Sequence, residues 1–253
     1  MEERNWQIDS SISTERLRNN RRLHRLKVLV IAAHPDDEII GCGATMAKHV
    51  KHKDQVHVAI LAEGITSRKN KRDRAINEEK LSLLAEQAEK ANEIIGVHEL
   101  RLLDFPDNRM DSITLLDITK VVEDLIEEYQ PDIIYTHHYG DVNIDHRCIH
   151  QAVITASRPM PNKHKVKELL FFEILSSTEW QPPCSGESFH PNWFIDVSDT
   201  LDLKIQSLKE YKHEMRDWPH PRSLEAAEYL ARLRGSTIGV EAAESFILGR
   251  RIL

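Results

Sequence analysis

Residues 27–38, which read KVLVIAAHPDDE, constrain the fold more than any other part of the chain. The apolar run over residues 28–33 is uninterrupted, as in a parallel strand that is covered on both faces. Pro35 stops that strand. Four ionisable side chains, beginning at His34, lie where it ends, and in open α/β sheets ligands bind at the carboxyl ends of the strands. The stretch therefore predicts a buried strand with a site at its end.

Strand-like and helix-like segments alternate along the rest of the chain. Further strands are predicted over residues 56–62, 99–103, 132–136, 169–174 and 193–197. Helices are predicted over residues 41–50, 75–95, 114–129, 147–156, 201–213 and 224–234, with Gly96 as a C-cap and Pro131 ending the third. This alternation predicts an α/β fold, a Rossmann-like three-layer sandwich with a mostly parallel central sheet. We expect residues 1–26 to form a polar leader and residues 27–253 to form a single domain.

The composition argues against several classes of protein. A formal net charge of −7 is unlike the basic footprint of a general nucleic-acid binder. No apolar run approaches the ~20 residues of a membrane span, and the N-terminal segment lacks the apolar core of a signal peptide. The cysteines, Cys42, Cys148 and Cys184, are scattered, which suits reduced thiols. These features predict a cytoplasmic protein.

A second polar cluster, DVNIDHR over residues 141–147, follows the predicted strand over residues 132–136. Since the ends of parallel strands share one edge of a sheet, His146 can meet His34 and Asp37 there. Two histidines and one carboxylate leave the fourth position of a tetrahedral zinc open for water, as in catalytic sites. Zinc lowers the pKa of its bound water to about 7. Asp36, which must point differently from its neighbour Asp37, is the candidate base for the remaining proton.

At this point the chain resembles the PIG-L/LmbE-like zinc-dependent de-N-acetylases, over residues 27–251. The motifs that carry the resemblance are KVLVIAAHPDDE, GCGAT at residues 41–45, FPDNRMD at 105–111, DVNIDHR at 141–147, and HPRS…RG…G…AESF at 220–246. The resemblance implies that His34, Asp37 and His146 bind zinc or another divalent transition metal. It also implies that Asp36 is the general base.

The resemblance suggests roles for other polar residues of these motifs. The resemblance implies that Asp145 is the carboxylate that orients the site. At the position of Asn143, the family often has a histidine that assists the oxyanion. An Asn amide can donate a hydrogen bond to an oxyanion but cannot carry a proton. Asp36 would then transfer the proton alone or with help from His138 or His220. Of the adjacent His137 and His138, only one can easily face the site, and we expect His138.

Four residues at other strand ends and in a later loop are candidates for binding substrate. Arg68, with Lys69 and Lys71 beside it, follows the second strand and could meet an anionic group. Asp107 and Arg109 could bind sugar hydroxyls or form an ion pair that stabilises a turn. Residues 218–223, WPHPRS, contain two stiffening prolines and are expected to form a pocket wall that carries Arg222.

The family resemblance implies a zinc-dependent hydrolase that removes the N-acetyl group of an amino sugar or its conjugate and releases acetate. The expected partner is a small N-acetylated sugar, and the basic residues near Arg68 and Arg222 favour a phosphorylated or nucleotide-linked one. The alternative is a zinc amidohydrolase acting on another N-acyl group, such as N-formyl or a non-sugar amide. Gly41 and Gly43 are wrongly spaced for a dinucleotide fingerprint, which argues against an oxidoreductase. Family members are often oligomeric, so a homo-oligomer is an open expectation.

Overall fold

The computed structural model describes residues 25–68, 72–183 and 188–253. One sheet contains seven strands: β1 (Lys27–Ala32), β2 (Gln55–Ala62), β3 (Glu99–Phe105), β4 (Ile133–His137), β5 (Glu168–Phe172), β6 (Trp193–Asp196) and β7 (Ala243–Arg251). Six α-helices occur in the described ranges: α1 (Asp37–Lys51), α2 (Glu78–Ile95), α3 (Leu115–Tyr129), α4 (Ile144–Ala156), α5 (Leu201–Leu208) and α6 (Leu224–Ile238). The predicted leader, up to residue 24, lies outside the described residues, as do Lys69, Lys71 and Cys184.

The strand order is β3-β2-β1-β4-β5-β7-β6. The five strands from β3 to β5 pair in parallel, whereas β7 pairs antiparallel with both β5 and β6. The chain runs from β1 outward to β3 and then returns to place β4 on the other side of β1. This reversal is a topological switch point, at which the loops after two neighbouring strands diverge and open a crevice for ligands.

Helices cover both faces of the sheet, which confirms the predicted α/β fold with a mostly parallel sheet. On one face Val28 and Val30 of β1 pack with residues of α1, α2 and α5. On the other face Leu29 and Ile31 pack with residues of α3 and α4. From Val28 to Ala32, β1 is therefore apolar at every position, because neither of its faces meets water there. Among the described helices, none has the length and apolar character needed to cross a bilayer.

The structure differs from the predicted elements mainly in α1 and in the C-terminal third. α1 begins at Asp37, four residues before the predicted start, because the acidic residues of the HPDDE motif form its first turn. α5 ends at Leu208, and residues 209–223 form a long loop. Strand β7 was not predicted from the sequence. Its polar residues Glu244 and Ser245 interrupt the apolar pattern, and their burial depends on partners elsewhere in the chain.

The buried side chains of Glu244 and Lys204 stabilise a break in α1. Cys42 has non-helical backbone angles (φ −149°, ψ 24°), so the helix is kinked there and its backbone groups need other partners. Glu244 accepts hydrogen bonds from the N–H groups of Ala44 (3.2 Å) and Thr45 (2.7 Å). Lys204 Nζ donates to Glu244 Oε1 (2.6 Å) and to the carbonyl of Ile40 (2.7 Å). The buried Lys204–Glu244 pair therefore satisfies both sides of the kink.

Lys204→Met should lower the free energy of unfolding by about 3–5 kcal/mol, because it leaves the Glu244 carboxylate buried without its cation. Urea denaturation measures the change. The matched control is Arg232→Met, which breaks the exposed Arg232–Glu228 pair on α6 and should cost less than about 1 kcal/mol. Equal losses in the two variants would show that the buried pair does not stabilise the kinked helix.

Candidate metal centre and catalytic pocket

The three predicted metal ligands meet at the strand-order reversal. His34 and Asp37 follow β1, and His146 lies in the first turn of α4, after β4. Asp37 Oδ2 lies 3.1 Å from His34 Nδ1 and 3.1 Å from His146 Nε2. The three potential ligand atoms are all within 4.8 Å of one another. Two metal–ligand bonds of about 2 Å each can span the two 3.1 Å distances, and the cluster is compact enough that one ion could bind all three residues after small side-chain shifts.

Asp145 lies behind His34. Its Oδ2 is 3.0 Å from His34 Nε2 and accepts a hydrogen bond from the N–H of Asn108 (2.6 Å). Its Oδ1 accepts from the N–H of Met110 (2.9 Å). A carboxylate on the second ring nitrogen fixes the orientation of a metal-binding imidazole. Asp145 is therefore placed to orient His34, and not His146, its neighbour in the sequence.

Asp141 has the equivalent position behind His146, and it was not predicted from the sequence. Asp141 Oδ2 is 3.2 Å from His146 Nδ1. The hydroxyls of Ser177 and Thr178 donate to Asp141, the latter over 2.7 Å. Together with His146, these hydroxyls hold the pKa of Asp141 well below its ordinary range, although burial opposes this. The signal in the sequence was an acidic residue in the same motif as the third ligand.

The donor set and its charge fit a divalent cation. Burial opposes charge on the imidazoles, yet Asp145 and Asp37 raise the pKa of His34 well above its ordinary value. Burial likewise opposes charge on His146, and Asp37 and Asp141 raise its pKa to about 9. Asp37 Oδ1 is buried and has no hydrogen-bond partner among the described residues. Two imidazole nitrogens and one carboxylate in negative surroundings would hold a cation and leave one position for water.

Asp36 contacts a different partner from Asp37. It is buried, and its Oδ2 accepts a hydrogen bond from Arg222 Nη1 (3.1 Å), whereas its Oδ1 has no partner within the described ranges. Asp36 precedes α1 without capping it, and its φ of 113° is rare for a residue with a side chain. Burial raises the pKa of Asp36 well above its ordinary value, although Arg222 acts in the opposite direction. Such a carboxyl group can both accept and return a proton.

Arg222 was expected to contact substrate. In the structure, its guanidinium group forms hydrogen bonds with other residues of the protein. Besides the bond to Asp36, its Nε donates to Ser176 Oγ (2.9 Å). Arg222 lines the pocket, but an acidic side chain of the protein already balances its charge. Arg222 therefore gives no support for a phosphorylated substrate.

Glu38 supports the turn that carries Asp36 and Asp37. It is fully buried, and its Oε2 accepts from the N–H of Asp36 (3.1 Å). Its Oε1 accepts from Asn92 Nδ2 (3.0 Å) and from the Tyr211 hydroxyl (2.5 Å). Burial raises the pKa of Glu38 to about 7. Glu38 therefore ties the HPDDE turn to α2 and to the loop after α5.

His137 lies beside the candidate ligands, at the position where we expected His138. The ring of His137 stacks on that of His146 (3.9 Å between centroids), and its Nε2 accepts from the N–H of Ala33 (2.8 Å). The ring of His138 instead lies near those of Tyr139 and Phe189. Because His137 is the last residue of β4, its side chain remains in the alternating pattern of the strand and faces the switch point.

Asn143 caps α4, and His220 stabilises its own loop. Asn143 Oδ1 accepts from the N–H of Asp145 (2.9 Å), and Asn143 is also a lining residue of the pocket. The capping bond uses the side-chain oxygen of Asn143, so it is compatible with hydrogen-bond donation by the NH₂ group. His220 Nδ1 accepts from the N–H of Arg222 (3.0 Å), so His220 supports the loop that positions Arg222.

The remaining predicted substrate residues lie on loops around the pocket. Asp107 is buried; its Oδ2 accepts from the N–H of Ser67 (2.9 Å), and its Oδ1 lies 3.4 Å from His34 Nε2. Asp107 therefore joins the loops after β2 and β3. Arg109 follows on the same loop, with its backbone N–H bonded to Pro106. The backbone of Arg68 ends the helical turn Thr66–Arg68.

A pocket of about 180 Å³ opens beside His34 and Asp36. Its wall includes residues from four loops: Ser67, Asp107, Asn143 and Arg222. His34 is partly exposed at this pocket, whereas Asp36, Asp37 and His146 are buried. This arrangement suits hydrolysis of a small polar group that enters the pocket.

Comparison with known families identifies the chain. Residues 29–157, which include all the candidate metal ligands, match the family described as PIG-L, GlcNAc-PI de-N-acetylase. The protein belongs to the PIG-L family. The uncharacterized deacetylase YaiS of Escherichia coli K12 is 30% identical over 194 residues, which cover 74% of this chain and 91% of YaiS. The diacetylchitobiose deacetylase of Thermococcus kodakarensis is 25% identical over 211 residues, covering 74% of this chain and 70% of that protein.

Solved structures show the same fold. The conserved protein TT1542 of Thermus thermophilus superposes with a TM-score of 0.71 at 21% identity, covering 90% of this chain and 96% of that one. The 4-carboxy-2-hydroxymuconate hydratase GalB of Pseudomonas putida KT2440 has a TM-score of 0.68 at 20% identity, covering 90% of this chain and 98% of GalB. The fold thus also occurs in a protein named as a hydratase, so the reaction has to be argued from the site. The family match makes this PIG-L protein a deacetylase-type hydrolytic enzyme.

Asp141→Asn should weaken divalent-metal binding about 10- to 100-fold, because a neutral amide orients and polarises His146 less than a carboxylate. Competition against a chelator measures the affinity, and circular dichroism checks that the variant folds. Asp111→Asn, an exposed residue on the loop after β3, is the matched control and should bind metal like the parent. Unchanged affinity in Asp141→Asn would remove Asp141 from the support of the site.

Proposed function

We propose that this protein is a zinc-dependent hydrolase that removes the N-acetyl group from an amino sugar or its conjugate and releases acetate. One observation carries the proposal: His34, Asp37 and His146 converge at the switch point with the buried carboxylate of Asp36 beside them. Membership of the PIG-L family supports the reaction, and the name of the Thermococcus relative supports an acetylated sugar as substrate. We treat residues 27–253 as one catalytic domain, because a single sheet extends from Lys27 to Arg251.

Zinc suits the proposed ligand set. His34, Asp37 and His146 would supply two nitrogens and one oxygen, the composition of catalytic zinc sites with three protein ligands. When bound, zinc supplies an acidified water and polarises the substrate carbonyl. Another divalent transition metal could bind the same donors. The chain's own residues then control protons and orientation.

Asp36 is the proposed proton carrier. Arg222 occupies its Oδ2, so Oδ1, which has no partner among the described residues, is the atom that would accept a proton from the attacking water. The raised pKa of Asp36 lets the protonated carboxyl group persist until it donates to the leaving amine. One residue can therefore serve as base and then as acid. Neither His138 nor His220 is needed in this scheme.

Asn143 is the proposed hydrogen-bond donor to the oxyanion. Its Oδ1 is engaged by the N-terminus of α4, which fixes the amide plane and directs the NH₂ group. A donor held in advance by the fold stabilises developing charge without reorganising at the moment of reaction. The side-chain oxygen of Asn143 would cap α4, and the NH₂ group of the same amide would donate to the oxyanion.

The alternative is hydrolysis of a different N-acyl group by the same residues. The polar lining of the pocket does not by itself distinguish acetyl from formyl, or a sugar from another amine. A cytoplasmic location rests on the pattern of the sequence, and assembly into a homo-oligomer rests on family resemblance. Both remain proposals.

The defining experiment is turnover of N-acetylated and N-formylated sugars and of a simple N-acetyl amide, with and without a chelator. The parent protein should release acetate from N-acetyl sugars, lose activity with chelator and regain it with zinc. Asp36→Asn should keep its metal but lose about 10²–10⁴-fold in kcat, because the proton carrier is gone. Asp124→Asn, an exposed residue on α3, is the control and should behave like the parent. Turnover that resists the chelator, or an active Asp36→Asn, would contradict the mechanism.

Two substitutions at Asn143 separate its structural and catalytic contacts. Asn143→Asp retains the capping oxygen and removes the NH₂ donor, so it should lower kcat with little change in stability. Asn143→Ala removes both contacts and should also lower the free energy of unfolding by about 1 kcal/mol. Acetate release and urea denaturation of the two proteins provide the comparison. Full activity in Asn143→Asp would leave Asn143 with the capping role alone.

A further inference from the structure

Asp36 has a backbone conformation that residues with a side chain rarely adopt. Its φ of 113° and ψ of −30° lie in a region that glycine tolerates, because a Cβ atom there crowds the backbone. Such a conformation is unfavourable by itself and persists only where surrounding contacts impose it. The direction of the Cα–Cβ bond depends on φ and ψ. The contacts that impose this conformation therefore also decide where the carboxyl group of Asp36 points.

A buried hydrogen-bond chain fixes the backbone N–H of Asp36. Glu38 Oε2 accepts from that N–H (3.1 Å). The other oxygen, Glu38 Oε1, accepts from Asn92 Nδ2 (3.0 Å) and from the hydroxyl of Tyr211 (2.5 Å). Both Glu38 and Tyr211 are fully buried, and a hydrogen bond between a hydroxyl and a carboxylate is short and strong in such surroundings. Tyr211 therefore holds the carboxylate that holds the backbone of Asp36.

The loop over residues 209–223 reaches Asp36 from two directions. Tyr211, near its beginning, acts on the backbone N–H of Asp36 through the chain described above, and Arg222, near its end, binds Asp36 Oδ2 (3.1 Å). Bonds within the loop stabilise both contact points. The carbonyl of Tyr211 accepts from the N–H of Met215 (3.0 Å), and the N–H of Arg216 donates to the carbonyl of Arg222 (2.9 Å). One loop thus restrains both the backbone and the side chain of Asp36.

We infer that Tyr211 is a positioning residue for the proton carrier. Through Glu38 it imposes the rare backbone conformation of Asp36, and this conformation directs the Asp36 carboxyl group into the catalytic pocket while the carboxyl group of Asp37 meets the imidazoles. The inference rests on the proposed deacetylase function and deepens it. Tyr211 is not itself catalytic, because it is fully buried and acts through two successive hydrogen bonds.

Tyr211→Phe removes the hydroxyl and keeps the ring. It should lower kcat for acetate release about 10- to 100-fold, because a carboxyl group displaced by about 1 Å transfers protons poorly. KM and the affinity for divalent metal should not change, because the pocket walls and the metal ligands keep their own contacts. The matched control is Tyr129→Phe, which removes a hydroxyl that donates to Glu99 (2.8 Å) and should keep the kcat of the parent.

A comparison of Asp36→Gly with Asp36→Ala tests the backbone without any measurement of activity. Both variants remove the carboxyl group, so a difference between their urea midpoints reports the backbone conformation. Asp36→Gly should have the higher midpoint, because only glycine adopts this φ without strain. When each is combined with Tyr211→Phe, the turn can relax, and the advantage of glycine should shrink.

The outcomes separate the role of Tyr211 from the proposed function. If Tyr211→Phe keeps the kcat of Tyr129→Phe, or loses metal affinity in parallel with kcat, the positioning role is overturned and the deacetylase function stands. If the parent hydrolyses no N-acetyl amide, the proposed function fails, and the urea midpoints alone decide the role of Tyr211. An advantage of glycine that Tyr211→Phe reduces would retain the role; equal midpoints, or an advantage that Tyr211→Phe leaves unchanged, would overturn it.

Discussion

Parallel pairing of β1 with β4 is the constraint on which the site depends. Ile31 of β1 aligns with Thr136 of β4, so both strands end at the same level of one sheet edge. The N–H of Ala33 reaches the ring of His137 across this junction. The loops that follow can then bring Asp37 within hydrogen-bond distance of His146 although 109 residues separate them in the chain. The switch in strand order opens the crevice, and the polar residues at both strand ends line it.

Charge is arranged around that crevice in two separate groups. Asp37, Asp141 and Asp145 contact the two candidate metal-binding imidazoles, and backbone N–H groups and hydroxyls hold two of these carboxylates in place. Asp36 faces Arg222 instead. Adjacent aspartates thereby acquire opposite pKa shifts: burial raises the pKa of Asp36, whereas the nearby imidazoles lower the pKa of Asp37 despite its burial. A metal ligand and a proton carrier can therefore occupy neighbouring positions in the chain.

The C-terminal part of the chain supports a centre that the N-terminal part supplies. The family match ends at residue 157, yet Arg222 contacts Asp36 and the hydroxyl of Thr178 contacts Asp141. Lys204 and Glu244 stabilise the kink in α1, only a few residues from the ligands. The loop after α5 also lines a cavity of about 490 Å³ at the beginning of α2. The shared chemistry is thus encoded before residue 157, and much of the pocket's shape is encoded after it.

The sequence by itself determined the layers of the α/β fold, most strand positions and the three candidate metal ligands. Apolar periodicity and the shared edge of parallel strands leave few alternative arrangements. Tertiary structure alone decided which of His137 and His138 faces the ligands, that Asp141 supports His146, and that Arg222 pairs with Asp36. Side-chain direction at a strand end depends on how neighbouring segments pack, and a contact across 186 residues follows from loop paths that no local signal encodes. Residue types limit the possible chemistry; packing decides which atoms meet.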